Sequence, residues 1–190
     1  MRHISLEKPN GAFRWLQLYR LYLSAFPAAE RKPFAMIAGH YRKGKMDIWC
    51  ITEKGQFLGF ATTVLGESLV LIDYLAIDKA HRGTGVGSAA LAALRKKYAG
   101  KGVFLEIESV YEDCPNLQER QRRKAFYLHC GMEPMQVMIR LFGVKMELMG
   151  FDCRFDYACY EAFYMKHLGA WAAGHVFPEN HPEADPNTPS

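Results

Sequence analysis

The sequence predicts a single α/β domain. Two observations carry that expectation. Apolar runs of strand character interleave with amphipathic helical patterns along most of the chain, and three such runs precede a glycine cluster that opens a helix. Size agrees: 190 residues suffice for one sizeable core and are tight for two independent ones. Hydrophobic residues make up 49% and charged residues 23%, which excludes a largely disordered chain, a collagen-like repeat or a low-complexity polymer.

Taken in order, Phe13–Phe26 reads as a helix, apolar at Phe13, Leu16, Tyr19, Leu23 and Phe26 and stopped by Pro27. After the turn-rich Pro27–Pro33, a short helix is expected over Phe34–Tyr41. Met46–Thr52 and Phe57–Leu65 form a hairpin around Glu53–Gln56, and Leu69–Ile77 is a third, almost continuously apolar strand. The cluster Arg82–Gly87 opens a helix ending near Tyr98, with Val86, Ala89, Ala90, Ala93 and Leu94 at helical spacing. A strand over Val103–Val110, a polar loop over Tyr111–Leu117 and a basic helix around Gln118–Cys130 follow. Met135–Leu141 and Val144–Met149 read as a closing hairpin, and Tyr157–Leu168 as a helix. The domain is placed at 1–170 and an irregular tail at 171–190, where Pro178, Pro182, Pro186 and Pro189 stand among polar residues.

Several classes of function fall away. No apolar run approaches the roughly 20 residues that span a bilayer, and the opening MRHISLEKPNG lacks a secretory pattern, so a cytoplasmic protein with no membrane partner is expected. Cys50, Cys114, Cys130, Cys153 and Cys159 are scattered, which suits free thiols. Metal-ligand spacing is absent, so no metal is expected. A net charge of +4 and a pI near 8.8 are too mild to suggest nucleic acid, but suit an anionic ligand.

The most informative stretch is Arg82-Gly-Thr-Gly-Val-Gly-Ser88. Glycines let backbone amides approach a ligand closely, and the first turn of a helix offers unpaired N–H groups at the positive end of its dipole. Phosphate suits such a site, and Arg82 can add a charge-assisted fork. The alternative is a plain strand-to-helix turn. A nucleotide P-loop is excluded because GxxxxGK[ST] is missing. A dinucleotide fingerprint fits less well: Ser88 takes the third glycine position and Asp78–Arg82 separate the glycines from their strand, although Glu106 and Glu108 imitate the ribose-binding acid.

Arg82–Gly87, with an apolar strand ending five residues before the arginine, resembles the R/Q-x-x-G-x-G/A loop of the GNAT N-acetyltransferase family. Arg123-Lys-Ala-Phe-Tyr-Leu-His-Cys-Gly-Met132 is similar to that family's A-x-x-x-Y-x-x-x-G-F segment. Ser24-Ala-Phe-Pro-Ala-Ala-Glu-Arg31 is similar to a stretch of bacterial members whose substrates are mostly unassigned. Arg120 stands where the family often has Asn, and Met132 where it has an aromatic. The resemblance implies a mixed, mostly antiparallel sheet with helices on both faces and two central parallel strands that splay apart to admit acetyl-CoA. It assigns the pyrophosphate to Arg82, Gly83, Thr84, Gly85, Val86, Gly87 and Ser88, and the pantetheine arm to the backbone of Ala76 and Ile77. It also implies an amine acceptor, expected to be a small cationic molecule or else a protein N-terminus or lysine, and a homodimer, which many relatives form.

Transfer to an amine needs a base, because an alkyl ammonium with a pKa of ~10 holds its proton at neutral pH. It also needs an oxyanion donor and an acid for the departing thiolate. Tyr127 matches the family's general acid, with simple packing as the alternative. Glu106, in Phe104-Leu-Glu-Ile-Glu108, resembles the glutamate base of ribosomal-protein alanine acetyltransferases. In an extended strand Glu106 and Glu108 share a face, where they would attract a cationic acceptor and raise one another's pKa; pairing with arginine is the alternative. Glu108 is therefore a candidate substrate anchor, and the Ile77 amide a candidate oxyanion donor. Arg123, in a basic run that otherwise reads as a solvated helix face, is a candidate phosphate contact. The aromatics of the first helix, Phe26 among them, wall an acceptor pocket or belong to the core. Cys130 is the only cysteine beside either motif, so direct transfer without a covalent enzyme intermediate is expected. A non-catalytic acyl-CoA-binding module and a nicotinamide-dinucleotide enzyme are the rival readings.

Overall fold

The computed structural model describes residues 3–180. Within the described residues, contacts group the chain into two compact units: residues 3–65 with Val70–Ala99, and Gly66–Leu69 with residues 100–180. Among the described residues, no helix is long and apolar enough to cross a membrane.

The first unit holds β1 (Ser5–Glu7), α1 (Gly11–Ala25), α2 (Phe34–Arg42), β2 (Met46–Glu53), β3 (Gln56–Leu65), β4 (Leu69–Ile77) and α3 (Val86–Lys97). The strands run antiparallel in the order β1-β2-β3-β4. Lys54 and Gly55, both at positive φ, make the tight turn between β2 and β3. β4 carries a bulge: Thr62 faces Tyr74 and Thr63 faces Ile72, so Asp73 is the extra residue. Helix α3 covers one face of the strands, Val86 and Ala90 packing with Ile51 and Leu58. Tyr98, just past α3, fixes that helix through a single oxygen. Its hydroxyl accepts from Trp49 Nε1 at 2.8 Å, contacts the Thr63 hydroxyl at 2.6 Å and donates to Asp47 at 2.8 Å.

Helix α1 covers the other face with Leu18, Leu21 and Tyr22 buried. The stripe read as its regular apolar pattern points outward instead, with Phe13 73% exposed and Leu16, Tyr19 and Leu23 also exposed. The helix has two apolar stripes, and the inward one carries Tyr22, whose hydroxyl finds the Lys32 carbonyl at 2.8 Å. Phe26 is half-buried and belongs to the same aromatic cluster, its ring 4.8 Å from that of Tyr74.

The second unit holds β5 (Gly102–Glu108), α4 (Leu117–His129), β6 (Glu133–Leu141), β7 (Val144–Phe151), α5 (Tyr157–His167), α6 (Ala170–Ala173) and β8 (Val176–Glu179). Its strands are antiparallel in the order β5-β7-β6-β8. Phe104 of β5 packs edge-on against Phe155, Tyr160 and Phe163. The irregular tail expected from residue 171 is corrected over its described part. Residues 176–179 pair with β6, Val176 is buried, and Arg140 bridges to Glu179 at 2.5 Å. Pro178 is compatible with this strand because an edge strand can lack one N–H donor. The rest of the expected tail, residues 181–190, lies outside the described residues.

Candidate active site

In the first unit, the end of β4 is held close to β3. A Cβ on Gly59 would sit 2.3 Å from the Ala76 carbonyl oxygen, so only glycine allows this approach. Ala76 is buried, and the Ile77 side chain packs on the Ile51, Leu58, Val86 and Ala90 cluster beneath α3. The Asp78 amide donates to the Leu58 carbonyl at 2.8 Å, and amides alternate in direction along a strand. The Ile77 amide is therefore directed away from β3. Asp78 then accepts from the Ala80 amide at 3.0 Å and caps a single 3-10 turn, Lys79–His81. The Thr84 hydroxyl closes the loop onto the His81 carbonyl at 2.7 Å.

Gly83 and Gly85 sit at φ +72° and +83°, a left-handed region that favours glycine. A Cβ at either would meet nothing within 4 Å, so the loop is open where a ligand would lie. Gly85 is the N-cap of α3 and supplies no side-chain cap, and the first turn has no acidic residue. Val86 anchors the start of the helix in the core, while Gly87 and Ser88 continue its first turn. Those first-turn amides and the helix dipole suit an anion. Arg82 is exposed beside it and donates from Nε to the Ile77 carbonyl at 3.0 Å, which ties the arginine to the end of β4. Of the residues read as phosphate and pantetheine contacts, Ala76, Ile77 and residues 82–88 follow one another from the end of β4 into the first turn of α3.

In the second unit, Glu106 and Glu108 are half-buried along β5 while Leu105 and Ile107 are buried, as alternation requires. The two carboxylates have different partners. Glu106 Oε1 accepts from the hydroxyls of Tyr160 and Tyr164 at 2.6 and 2.7 Å. Burial, reinforced by the Glu106 charge, pushes the Tyr160 phenol well above its ordinary range, so it serves as a donor. Glu108 is spent on arginines: Arg120 Nη2 at 2.9 Å and Arg123 Nη1 at 3.1 Å. The expected repulsion between two bare carboxylates is therefore offset, and Arg123, read as a phosphate contact, engages Glu108. Arg120 and Arg123 lie three residues apart on one face of α4, which aims both at β5.

The basic run is likewise not a simple solvated face. Arg120 also donates to the Ser109 carbonyl and the Asn116 side chain, both at 3.0 Å, stapling the start of α4 to the end of β5. Lys124 bridges to buried Glu147 at 2.5 Å, and Glu147 also accepts from the Val110 amide. Tyr127 is half-buried near the end of α4. Burial pushes its phenol up to about 12, against a smaller opposing effect of Arg123. Among the described residues, no group hydrogen-bonds its hydroxyl. It is a protonated phenol with its O–H available.

A family model described as the acetyltransferase (GNAT) family matches residues 15–132, more than half of the chain. The chain belongs to the GNAT acetyltransferase family. The candidate acetyltransferase YjbC of Bacillus subtilis (strain 168) is 36% identical over 98 residues, 51% of this chain and 48% of that protein. The match thus spans about half the length of that curated relative. A candidate GNAT-family acetyltransferase from Bacteroides thetaiotaomicron has the same fold, with a TM-score of 0.72 and 19% identity over 90% of this chain and 98% of that one. An aminoglycoside 6'-N-acetyltransferase complexed with coenzyme A shares the fold at a TM-score of 0.64 and 14% identity, covering 78% of this chain and 96% of its own. The GNAT resemblance read from the two motifs is therefore borne out as to family and fold. Sequence reasoning missed Tyr160 and Tyr164, because only the fold brings α5 to β5 across more than fifty residues.

Proposed function

We propose that this GNAT member transfers the acetyl group of acetyl-CoA directly to an amine. The observation that carries the reading is the glycine turn: an uncapped helix start behind two left-handed glycines with open space at each. The first-turn amides of α3 and Arg82 suit a pyrophosphate, and the backbone of Ala76 and Ile77 suits an amide-bearing arm.

Bound acetyl-CoA supplies a thioester carbonyl and a thiolate leaving group. The Ile77 amide is the candidate donor to the carbonyl oxygen as charge develops there. Glu106 takes a proton from the acceptor ammonium, through water, and Tyr160 and Tyr164 hold that carboxylate in one orientation. A C–N bond forms, the C–S bond breaks and the nitrogen releases its second proton to solvent, while Tyr127 donates its O–H to the departing sulfur, which as an ordinary thiol has a pKa of about 8.5. With the Tyr127 phenol near 12, full proton transfer to a thiolate of that basicity is uphill, so Tyr127 acts by hydrogen-bonding the charge that builds on sulfur in the transition state. Glu108 serves α4, through Arg120 and Arg123.

Calorimetry with acetyl-CoA on the wild-type chain and on Gly85→Trp tests the reading. Saturable binding lost in the variant supports it. Absence of wild-type binding, or saturable NAD(H) binding in place of CoA, overturns it. Tyr127→Phe and Glu106→Gln then separate an enzyme from a non-catalytic CoA-binding module. Loss of turnover in these variants with CoA affinity retained defines the former.

A further inference from the structure

The bulge in β4 places two unusual atoms on one face of the first unit. Asp73, the extra residue, is 6% exposed at its side chain, and its Oδ1 takes Lys32 Nζ at 2.5 Å. Its Oδ2 has no hydrogen-bond partner. Thr62 lies directly opposite Tyr74, next to the bulge, and its fully buried Oγ1 also lacks a partner. Among the described residues these are the buried side-chain polar atoms left unsatisfied. A buried carboxylate oxygen on β4 and a buried hydroxyl on the paired strand each call for a donor, since desolvation without a hydrogen bond is unfavourable.

The site already holds one alkylammonium, the side chain of Lys32. That ammonium lies 5.8 Å from the centre of the Tyr74 ring, within the range of a cation–π contact. The Lys32 backbone is pinned independently: its amide donates to the Tyr74 hydroxyl at 3.1 Å and its carbonyl accepts from Tyr22 at 2.8 Å. Tyr74 in turn donates to the Glu30 carbonyl at 2.9 Å. The Lys32 side chain, 28% exposed, can therefore swing out while the connection between α1 and α2 stays in place. We propose that Asp73 is the recognition residue for a second, non-reacting ammonium group of a cationic acceptor, which displaces Lys32 Nζ from Oδ1 and also gives donors to Oδ2 and Thr62 Oγ1. The inference rests on the acetyltransferase reading for the word acceptor. Phe26 and Tyr74, 4.8 Å apart, supply the aromatic wall.

The probe is n-butylammonium chloride, the chemistry of the Lys32 side chain, titrated by ligand-observed NMR against 1-butanol as the uncharged control. Saturable binding of the ammonium and none of the alcohol is expected for the wild type. Asp73→Asn should weaken binding at least tenfold, whereas Lys32→Met, which removes the internal competitor, should tighten it several-fold. Both variants break the same ion pair, so a purely structural role moves them alike. Variants shifting in the same direction, equal binding of ammonium and alcohol, or no saturable wild-type binding would overturn the proposal and leave ordered water as the occupant. If Asp73→Asn does not fold, Lys32→Met and Thr62→Val must still shift in opposite directions. Acetyl-CoA binding is measured on the same samples. The ammonium pattern without CoA binding sinks the acetyltransferase reading alone, and CoA binding without the pattern sinks this site alone.

Discussion

The Tyr160 hydroxyl donates to the Glu106 carboxylate at 2.6 Å, from a helix fifty-four positions further along the chain. Tyr164 converges on the same oxygen. These phenols orient the proposed base without touching the reacting atoms. Tyr160→Phe or Tyr164→Phe should lower kcat about tenfold, with acetyl-CoA affinity unchanged. The double variant should lose more, since Glu106 then keeps neither phenolic donor. Removing one donor to this half-buried carboxylate also costs about 1 kcal/mol of stability, readable in urea unfolding. An unchanged kcat in the double variant would remove Glu106 from the mechanism.

Tyr127→Phe should reduce kcat by about a hundredfold, in the usual range for loss of a general acid, with CoA affinity within twofold of wild type. The pH profile gives an independent check. The phenol is pushed up to about 12, so it keeps its proton through pH 10. No alkaline decline in kcat between pH 8 and 10 should therefore trace to Tyr127. A decline in that window shared by wild type and Tyr127→Phe belongs to another group; one that only the wild type shows contradicts the assignment.

At the glycine turn, Gly85→Ala should weaken acetyl-CoA binding at least tenfold by calorimetry. Space is not the cause, because a Cβ there meets nothing within 4 Å. The backbone is: φ of +83° costs an L residue about 1–2 kcal/mol, and relaxing it turns the helix amides away. Retained affinity in Gly85→Ala would mean that the α3 amides do not hold the phosphate.

Several phenols also set a limit on stability. Burial raises Tyr22, Tyr74, Tyr98 and Tyr160 above the ordinary tyrosine value, and Tyr127 to about 12. The unfolded chain releases these protons near pH 10 while the folded chain keeps them, so the unfolded state binds fewer protons there. Their stabilisation is complete below pH 10 and is lost as pH rises through the folded values. Thermal melts followed by circular dichroism should show Tm falling steeply above pH 10. A flat Tm to pH 11.5 would contradict this.

Thiol chemistry should be graded in the same way. Cys159 is exposed, whereas burial pushes the Cys50 and Cys153 thiols up to about 11. A disulfide reagent at pH 8 should therefore label Cys159 first and Cys50 only on unfolding. Peptide mapping of the labelled chain reads the order directly.

The elements and the glycine turn were legible because they rest on local chemistry: the strand Leu69–Ile77 was read with the bounds it has. The phosphate loop was legible for the same reason, since Arg82, Gly83 and Gly85 act through backbone geometry near in sequence. The partners of the carboxylates were not. Whether Glu108 meets an ammonium or Arg120 depends on where α4 docks, and periodicity does not specify that. The inward face of α1 was misread because two apolar stripes compete, and only the hydroxyl of Tyr22 decides between them. β8 escaped notice because its proline suits an edge, which a sequence does not announce. The Asp73 bulge left no local signature either, since an extra strand residue is defined only by its partner strand.

The shared oxygen of Tyr98 has an evolutionary consequence. Trp49, Thr63 and Asp47 all meet at that one atom, so none can drift to another residue without leaving the other three with a broken set of bonds. Acceptable replacements at these four positions are therefore coupled, and lineages should exchange them as a group. The helix that presents the glycine turn is held by a quartet that sequence change must cross in one step or not at all.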